Sequence, residues 1–113
     1  MAKDFSELTA QVHHLVRQGK YQISYHALND HPERNITAAD IIEVLKIGSI
    51  ADLELRIVAG REKYEGAQRY RWFGEDERDR VLRLILVVKD NVIVISAVEA
   101  TNRQSARYQQ EDR

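Results

Sequence analysis

Apolar residues recur at helical spacing up to about Ile47 and at strand spacing after about Ile50, so the chain predicts an α+β domain with its helices first. Leu8, Val12, Leu15 and Val16 form the first helical stripe, opened by a capping pair of Asp4 and Glu7 and stopped by Gly19. A short link, Lys20 to Ile23, leads to Ser24, whose hydroxyl can cap a brief second helix through His26, Ala27 and Leu28 that ends at Pro32. The third helix has Thr37 as cap, Asp40 at the third helical position and an Ile36/Ile41 staple. Its buried stripe is Ile41, Val44 and Leu45, and Gly48 is its stop.

Four strands are predicted next, at Ile50 to Val58, Lys63 to Phe73, Val81 to Lys89 and Val92 to Ala100. The turns between them contain Gly60, Gly74-Glu75-Asp76 and Asp90-Asn91, the last a two-residue hairpin because Asp and Asn tolerate positive φ. The expected architecture is N-terminal helices packed on a four-stranded antiparallel sheet. The last two strands are apolar on both faces, as central strands are. No linker or repeat interrupts residues 1–113, which read as one domain. It comprises an N-terminal helix (1–20), a core (21–100) and a polar tail or short helix (101–113) that carries Arg103, Arg107 and Tyr108.

Composition narrows the chemistry. The chain has no cysteine, which removes disulfides, thiolate metal sites and cysteine nucleophiles. The longest apolar run, Leu84 to Val88, is far short of the roughly 20 residues that span a bilayer, so a soluble cytoplasmic protein is expected. Seventeen Lys and Arg against 18 Asp and Glu give a net charge of -1, so any contact with nucleic acid must come from a local patch. Gly-rich phosphate loops, nucleophile elbows and dinucleotide fingerprints are missing, and no cofactor is expected.

Four histidines fall in the first 31 residues. His13 and His14 are adjacent, so on a helix they diverge by about 100° and do not share a metal; they read as surface residues near a helix C-terminus. His26 has Asp30 four residues on, a carboxylate able to orient the ring for acid–base work, and Arg34 just past Pro32 as a phosphate ligand. The alternative is a histidine packed on the sheet. Strand alternation puts Arg69, Arg71 and Phe73 on one face and Tyr70 and Trp72 on the other. Those residues form either a platform that holds phosphate and stacks bases, or a solvated face whose arginines pair with the acidic turn Glu75 to Asp79. Arg83 stands in an otherwise apolar strand and needs a partner or an exposed side.

The stretch Ile23-Ser24-Tyr25-His26-Ala27-Leu28, with Glu33-Arg34-Asn35-Ile36-Thr37 and Asp40-Ile41-Ile42-Glu43-Val44-Leu45, resembles the family called domain of unknown function 4258. Tyr64 to Tyr70 and the last two strands are also like that family, and the resemblance covers about residues 20 to 100. The ending from Val94-Ile95-Ser96-Ala97 through Ala100-Thr101 to Arg107-Tyr108 is similar to BrnT-type toxins of the RelE/ParE superfamily. Asp30, Val98 and Glu99 depart from the basic residues those families carry. The resemblance implies a metal-independent ribonuclease toxin neutralised by an antitoxin protein. It also implies catalytic roles for His26, Arg34, Arg69 and Arg71 and a phosphate contact from Arg83, while Tyr70 and Trp72 are expected to contact RNA as part of the strand platform. A non-catalytic protein- or nucleic-acid-interaction domain on the same fold is the alternative.

Overall fold

The computed structural model describes residues 4–29, 35–54 and 67–100. In chain order these form α1 (Ser6–Arg17), β1 (Tyr21–Ile23), α2 (Tyr25–Asn29), α3 (Ala38–Ile47), β2 (Ser49–Leu53), β3 (Tyr70–Glu75), β4 (Val81–Val88) and β5 (Val92–Glu99). The mixed α+β class matches the switch in apolar period. The sheet corrects the expectation of four antiparallel strands: it has five, in the order β1-β5-β4-β3-β2, and β1 runs parallel to β5. Tyr21 to Ile23, expected as a link, pairs with Val92 to Val94. Three residues are too few to show an alternating pattern, which is why the sequence hides this strand.

Each helix end has a local cause. At the head of α1 Asp4 Oδ1 accepts the Ser6 N–H at 2.9 Å, but the cap position is Phe5, which makes no side-chain cap bond, in place of the expected Asp4/Glu7 pair. Gly19 at φ +75 turns the chain out of α1, its N–H bonded to Val16 O at 3.0 Å. Ser24 Oγ accepts the Ala27 N–H at 3.0 Å and so caps α2.

Thr37 and Asp40 form a complete capping box on α3. Asp40 Oδ2 also takes Arg78 Nη2 at 2.7 Å, and Arg80 Nη2 lies 3.3 Å away, which ties the β3–β4 turn to the start of α3. Burial pushes the Asp40 carboxyl up, but the hydrogen bonds of Thr37 and then Arg78 together hold it below its usual 3.8. A lowered folded pKa contributes stability that is complete above the unfolded value and lost as pH falls through the folded one. Asp40→Ala is therefore expected to cost about 1–2 kcal/mol at neutral pH. Melting curves should show the wild-type advantage shrinking below about pH 4.

Two turns differ from expectation. Gly74 and Glu75 belong to β3, and the reversal is made by 76–80, where Asp76 N–H bonds Arg80 O at 2.9 Å and Asp79 takes φ 62. The carboxylate of Asp76 accepts the N–H groups of Arg78 and Arg80, each at 2.9 Å, so a side chain shapes this turn in place of a glycine. Val88 pairs with Val92, leaving a three-residue loop in which neither Asp90 nor Asn91 has positive φ. The expected strand ends at Val58 and Lys63, with the Gly60 turn, fall outside the described residues.

Ile50, Trp72, Leu84 and Ala97 make one cross-strand row on the face that meets the helices. They join Val12, Leu15 and Val16 of α1 and Ile41, Val44 and Leu45 of α3 in one core. On the other face Phe73, Ile85 and Val87 are also buried, so the middle of the sheet is closed on both sides, as its apolar content predicts. β2 is one edge of the sheet, and the Ile50 N–H is taken up by Thr9 Oγ1 of α1 at 3.2 Å.

Candidate functional site

His26 lies in the first turn of α2 and is half-buried. Its neighbour Ser24 fixes where that turn sits: Ser24 N–H donates to Val94 O at 2.9 Å and Ser24 Oγ donates to Ile95 O at 3.1 Å. Ile95 is the extra residue of a bulge, since Ile85 pairs with Ser96 and Leu86 with Val94. One hydroxyl thus caps the helix and locks it to an irregular point of β5, giving His26 a defined position. Asp30 and Arg34, its expected partners, lie outside the described residues.

The strand arginines are arranged differently from a free cationic platform. A bulge in β2 between Ile50 and Asp52 brings Asp52 opposite Arg71. Arg71 grips that carboxylate through both Nε and Nη2, the bidentate fork that Arg makes best. The expected acidic partners, Glu75 to Asp79, are not those of Arg71; Asp76 instead bonds Arg80, and Arg78 bonds Asp40. Arg69 is only 8% exposed, and its carbonyl receives the Glu54 N–H at 2.9 Å. Arg83, half-buried, stands between Phe73 and Val98 in a neighbouring cross-strand row on the opposite face.

The two aromatics expected as stacking surfaces are structural. Trp72 is 0% exposed and donates Nε1–H to Val44 O at 2.8 Å, so it offers no face to a base. Tyr70 is half-buried against the core and meets the Phe5 ring edge-on at 6.2 Å. The alternation of Arg71 and Phe73 against Tyr70 and Trp72 holds, but the Tyr70/Trp72 face is the one packed under the helices. His26 belongs to a helix whose Ala27 enters that same core, whereas Arg71 and Arg83 alternate to the opposite side of the sheet. The described residues do not bring His26 and the strand arginines onto one face.

Sequence reasoning missed three participants. His13, expected on the surface, is half-buried; its Nε2 is 2.8 Å from Gly48 O, and its ring stands at 90° to Trp72 with centroids 5.5 Å apart. A carbonyl only accepts, so that nitrogen carries the proton. Its neighbour His14 is exposed. Asp52 carries no local signal in the sequence, since only the β2 bulge aligns it with Arg71. Tyr25 is 82% exposed beside His26 and was read only as part of a motif. An open groove of about 480 Å³ between α1 and β2 is lined by Phe5, Thr9, His13 and Ile50 among others, and holds none of the predicted site residues.

Comparison with curated proteins gives no match, and comparison with solved structures gives none either. Residues 23–99, from the strand that leads into Ser24 to the end of β5, match the family described as Domain of unknown function (DUF4258). That span is more than half of the chain, which therefore belongs to the DUF4258 family.

Proposed function

We propose that this chain is an RNA-cleaving domain of the RelE/BrnT toxin type, a metal-independent endoribonuclease held in check by an antitoxin protein, with its chemistry on the α2 side. The observation that carries this reading is the fixed position of a half-buried His26, one turn of helix clamped to the β5 bulge through Ser24. In the proposed reaction the ribose 2′-hydroxyl gives up its proton and attacks the adjacent phosphorus, the bond to the 5′-oxygen breaks, the upstream fragment ends in a 2′,3′-cyclic phosphate, and the leaving 5′-oxygen takes up a proton to become a hydroxyl. His26 either takes the proton of the 2′-hydroxyl or supplies one to the leaving 5′-oxygen. Arg34 would balance the charge that builds on the phosphate oxygens. Arg69, Arg71 and Arg83 enter as phosphate ligands only where RNA reaches the opposite sheet face, and there a phosphate must displace Asp52 from Arg71.

The test is induced expression in cells and incubation of the purified chain with RNA in the presence of a chelator. Wild type is expected to slow growth and to cleave, and His26→Ala to lower cleavage about 10²-fold or more while the fold persists. No growth defect and no cleavage by folded wild type would sink the proposal. In the same experiment Arg69→Ala/Arg71→Ala reports whether the strand face takes part.

The neutralised Arg71–Asp52 pair favours a second reading, in which the domain keeps the fold and binds a protein or nucleic acid without cutting it. Under that reading His26→Ala and Arg34→Ala change stability and leave every RNA intact. Asp52→Asn separates the two uses of the strand face. If RNA binds there, freeing Arg71 should tighten RNA affinity severalfold in a titration; unchanged affinity removes the strand face from the site.

A further inference from the structure

We infer that β1 is a pairing edge for a second copy of this chain, running antiparallel to its own twin across a twofold axis so that the two sheets join. β1 ends the sheet, with β5 on one side of it and no strand on the other among the described residues. The Lys20 carbonyl accepts the Val92 N–H at 3.0 Å and the Ser24 N–H donates to Val94 O at 2.9 Å, so those positions face β5. Backbone groups alternate along a strand, so Gln22 faces β5 as well, while Tyr21 and Ile23 carry their N–H and C=O groups outward. An outward row of this kind is a template for another strand.

The two ends of the sheet differ. β2 is guarded: a bulge interrupts it between Ile50 and Asp52, and Thr9 Oγ1 occupies the Ile50 N–H. β1 pairs in a continuous register, and among the described residues nothing bonds its outward groups. Tyr25, 82% exposed, follows directly after Ser24 at the end of this edge, an aromatic surface of the kind that interfaces cover.

The strand Tyr21-Gln22-Ile23 closes on itself, which selects a second copy over a foreign strand. With Gln22 on the axis, Tyr21 stands opposite Ile23 of the second copy and Ile23 opposite its Tyr21, each pair exchanging both N–H···O bonds. Tyr21 and Ile23 are half-buried on the face that meets the helices, so an aromatic side chain lies beside a β-branched one across the seam. Gln22 is exposed on the other face and meets its own twin at about 4.5 Å between Cα atoms. An amide both donates and accepts and is therefore its own complement, whereas a charge on the axis would repel itself, and β1 carries none. The Lys20 residues of the two copies stand about 14 Å apart along this ladder, beyond the Debye length of about 8 Å. Arg17 is exposed as well, and Asp30, His31, Glu33 and Arg34, which follow α2, lie outside the described residues, so the self-pairing rests on the strand's own residues.

A strand of 3 residues makes a small contact, so the dimer is weak and reversible, and sedimentation velocity of the full chain from about 1 µM to about 1 mM is the measurement. Wild type should pass from monomer to dimer across that range. Gln22→Lys and Gln22→Glu put like charges on the axis at an exposed position, so each alone should weaken dimerisation about fivefold, and the two mixed in equal amounts should restore it. Ile23→Pro removes an outward N–H and no bond to β5, and should leave monomer only. The emission of buried Trp72 verifies that each variant is folded.

Wild type that stays monomeric throughout overturns the inference. So does a dimer indifferent to all three variants, which pairs through another surface, and so does a loss that mixing fails to restore, which takes Gln22 off the axis. Monomeric wild type that captures a foreign extended peptide, with capture lost in Ile23→Pro, overturns it in favour of another strand. Dimerisation and RNA cleavage are read separately, so either proposal can fail without the other.

Discussion

Gly48→Ala is expected to cost about 3 kcal/mol or more, enough to remove a large part of the roughly 5–15 kcal/mol that holds a domain of this size together. Backbone conformation is not the reason, because Gly48 sits at φ -84, which any residue adopts. The reason is space: a Cβ at this position would come closer than 3.0 Å to Phe73 O, Trp72 Nε1 and Val44 O at once. Two of those atoms are backbone carbonyls of α3 and β3, and the third is an indole nitrogen that already donates to Val44 O, so none can step aside alone. The Gly48 carbonyl meanwhile receives His13 Nε2, so a shift here would disturb α1 as well. Thermal melts should show a fall of about 10 °C or more.

Gly74→Ala is the graded comparison, since its Cβ would meet Val44 at 3.0 Å and Gly48 Cα at 3.1 Å and needs only a few tenths of an ångström. Its cost should be smaller. Gly19→Ala meets nothing within 4 Å and should cost only the φ +75 penalty of about 1–2 kcal/mol. Equal losses at all three would mean that close approach is not what Gly48 provides.

Those three glycines also mark how far local pattern reaches. Gly19, Ser24 and Thr37 act within a few residues of themselves, and each was legible because helix ends recruit side chains from their own neighbourhood. Gly48 was readable as a stop, but its actual duty, letting α3 touch β3, depends on residues 24 and 25 positions away. β1 was invisible for the same reason: its pairing is with a strand some 70 residues later, and three residues carry no period. In the candidate site, the Ser24 cap of the helix that carries His26 was legible from a local motif. Asp52 was not, because a bulge of one residue decides which strand face it joins. Alternation correctly separated Arg71 from Trp72, yet it could not say which face the helices would cover.

Trp72→Ala should produce the largest loss of any single side chain, about 3–5 kcal/mol, and should do so through stability and not through RNA affinity. Trp72 is the largest fully buried side chain and lies between Ile50 and Leu84 in the cross-strand row. Truncation opens a cavity under α3, removes the bond to Val44 O and takes away the ring against which His13 stands. Trp72→Phe separates these effects. It keeps most of the apolar volume and loses the Nε1–H donor, so it should cost less than Trp72→Ala, about 1–3 kcal/mol, set by a buried carbonyl left without its partner. Urea titration followed by far-ultraviolet circular dichroism measures both variants, since each removes the single tryptophan of the chain. Had Trp72 been an exposed stacking platform, the order would invert: RNA binding would fall while the urea midpoint stayed in place.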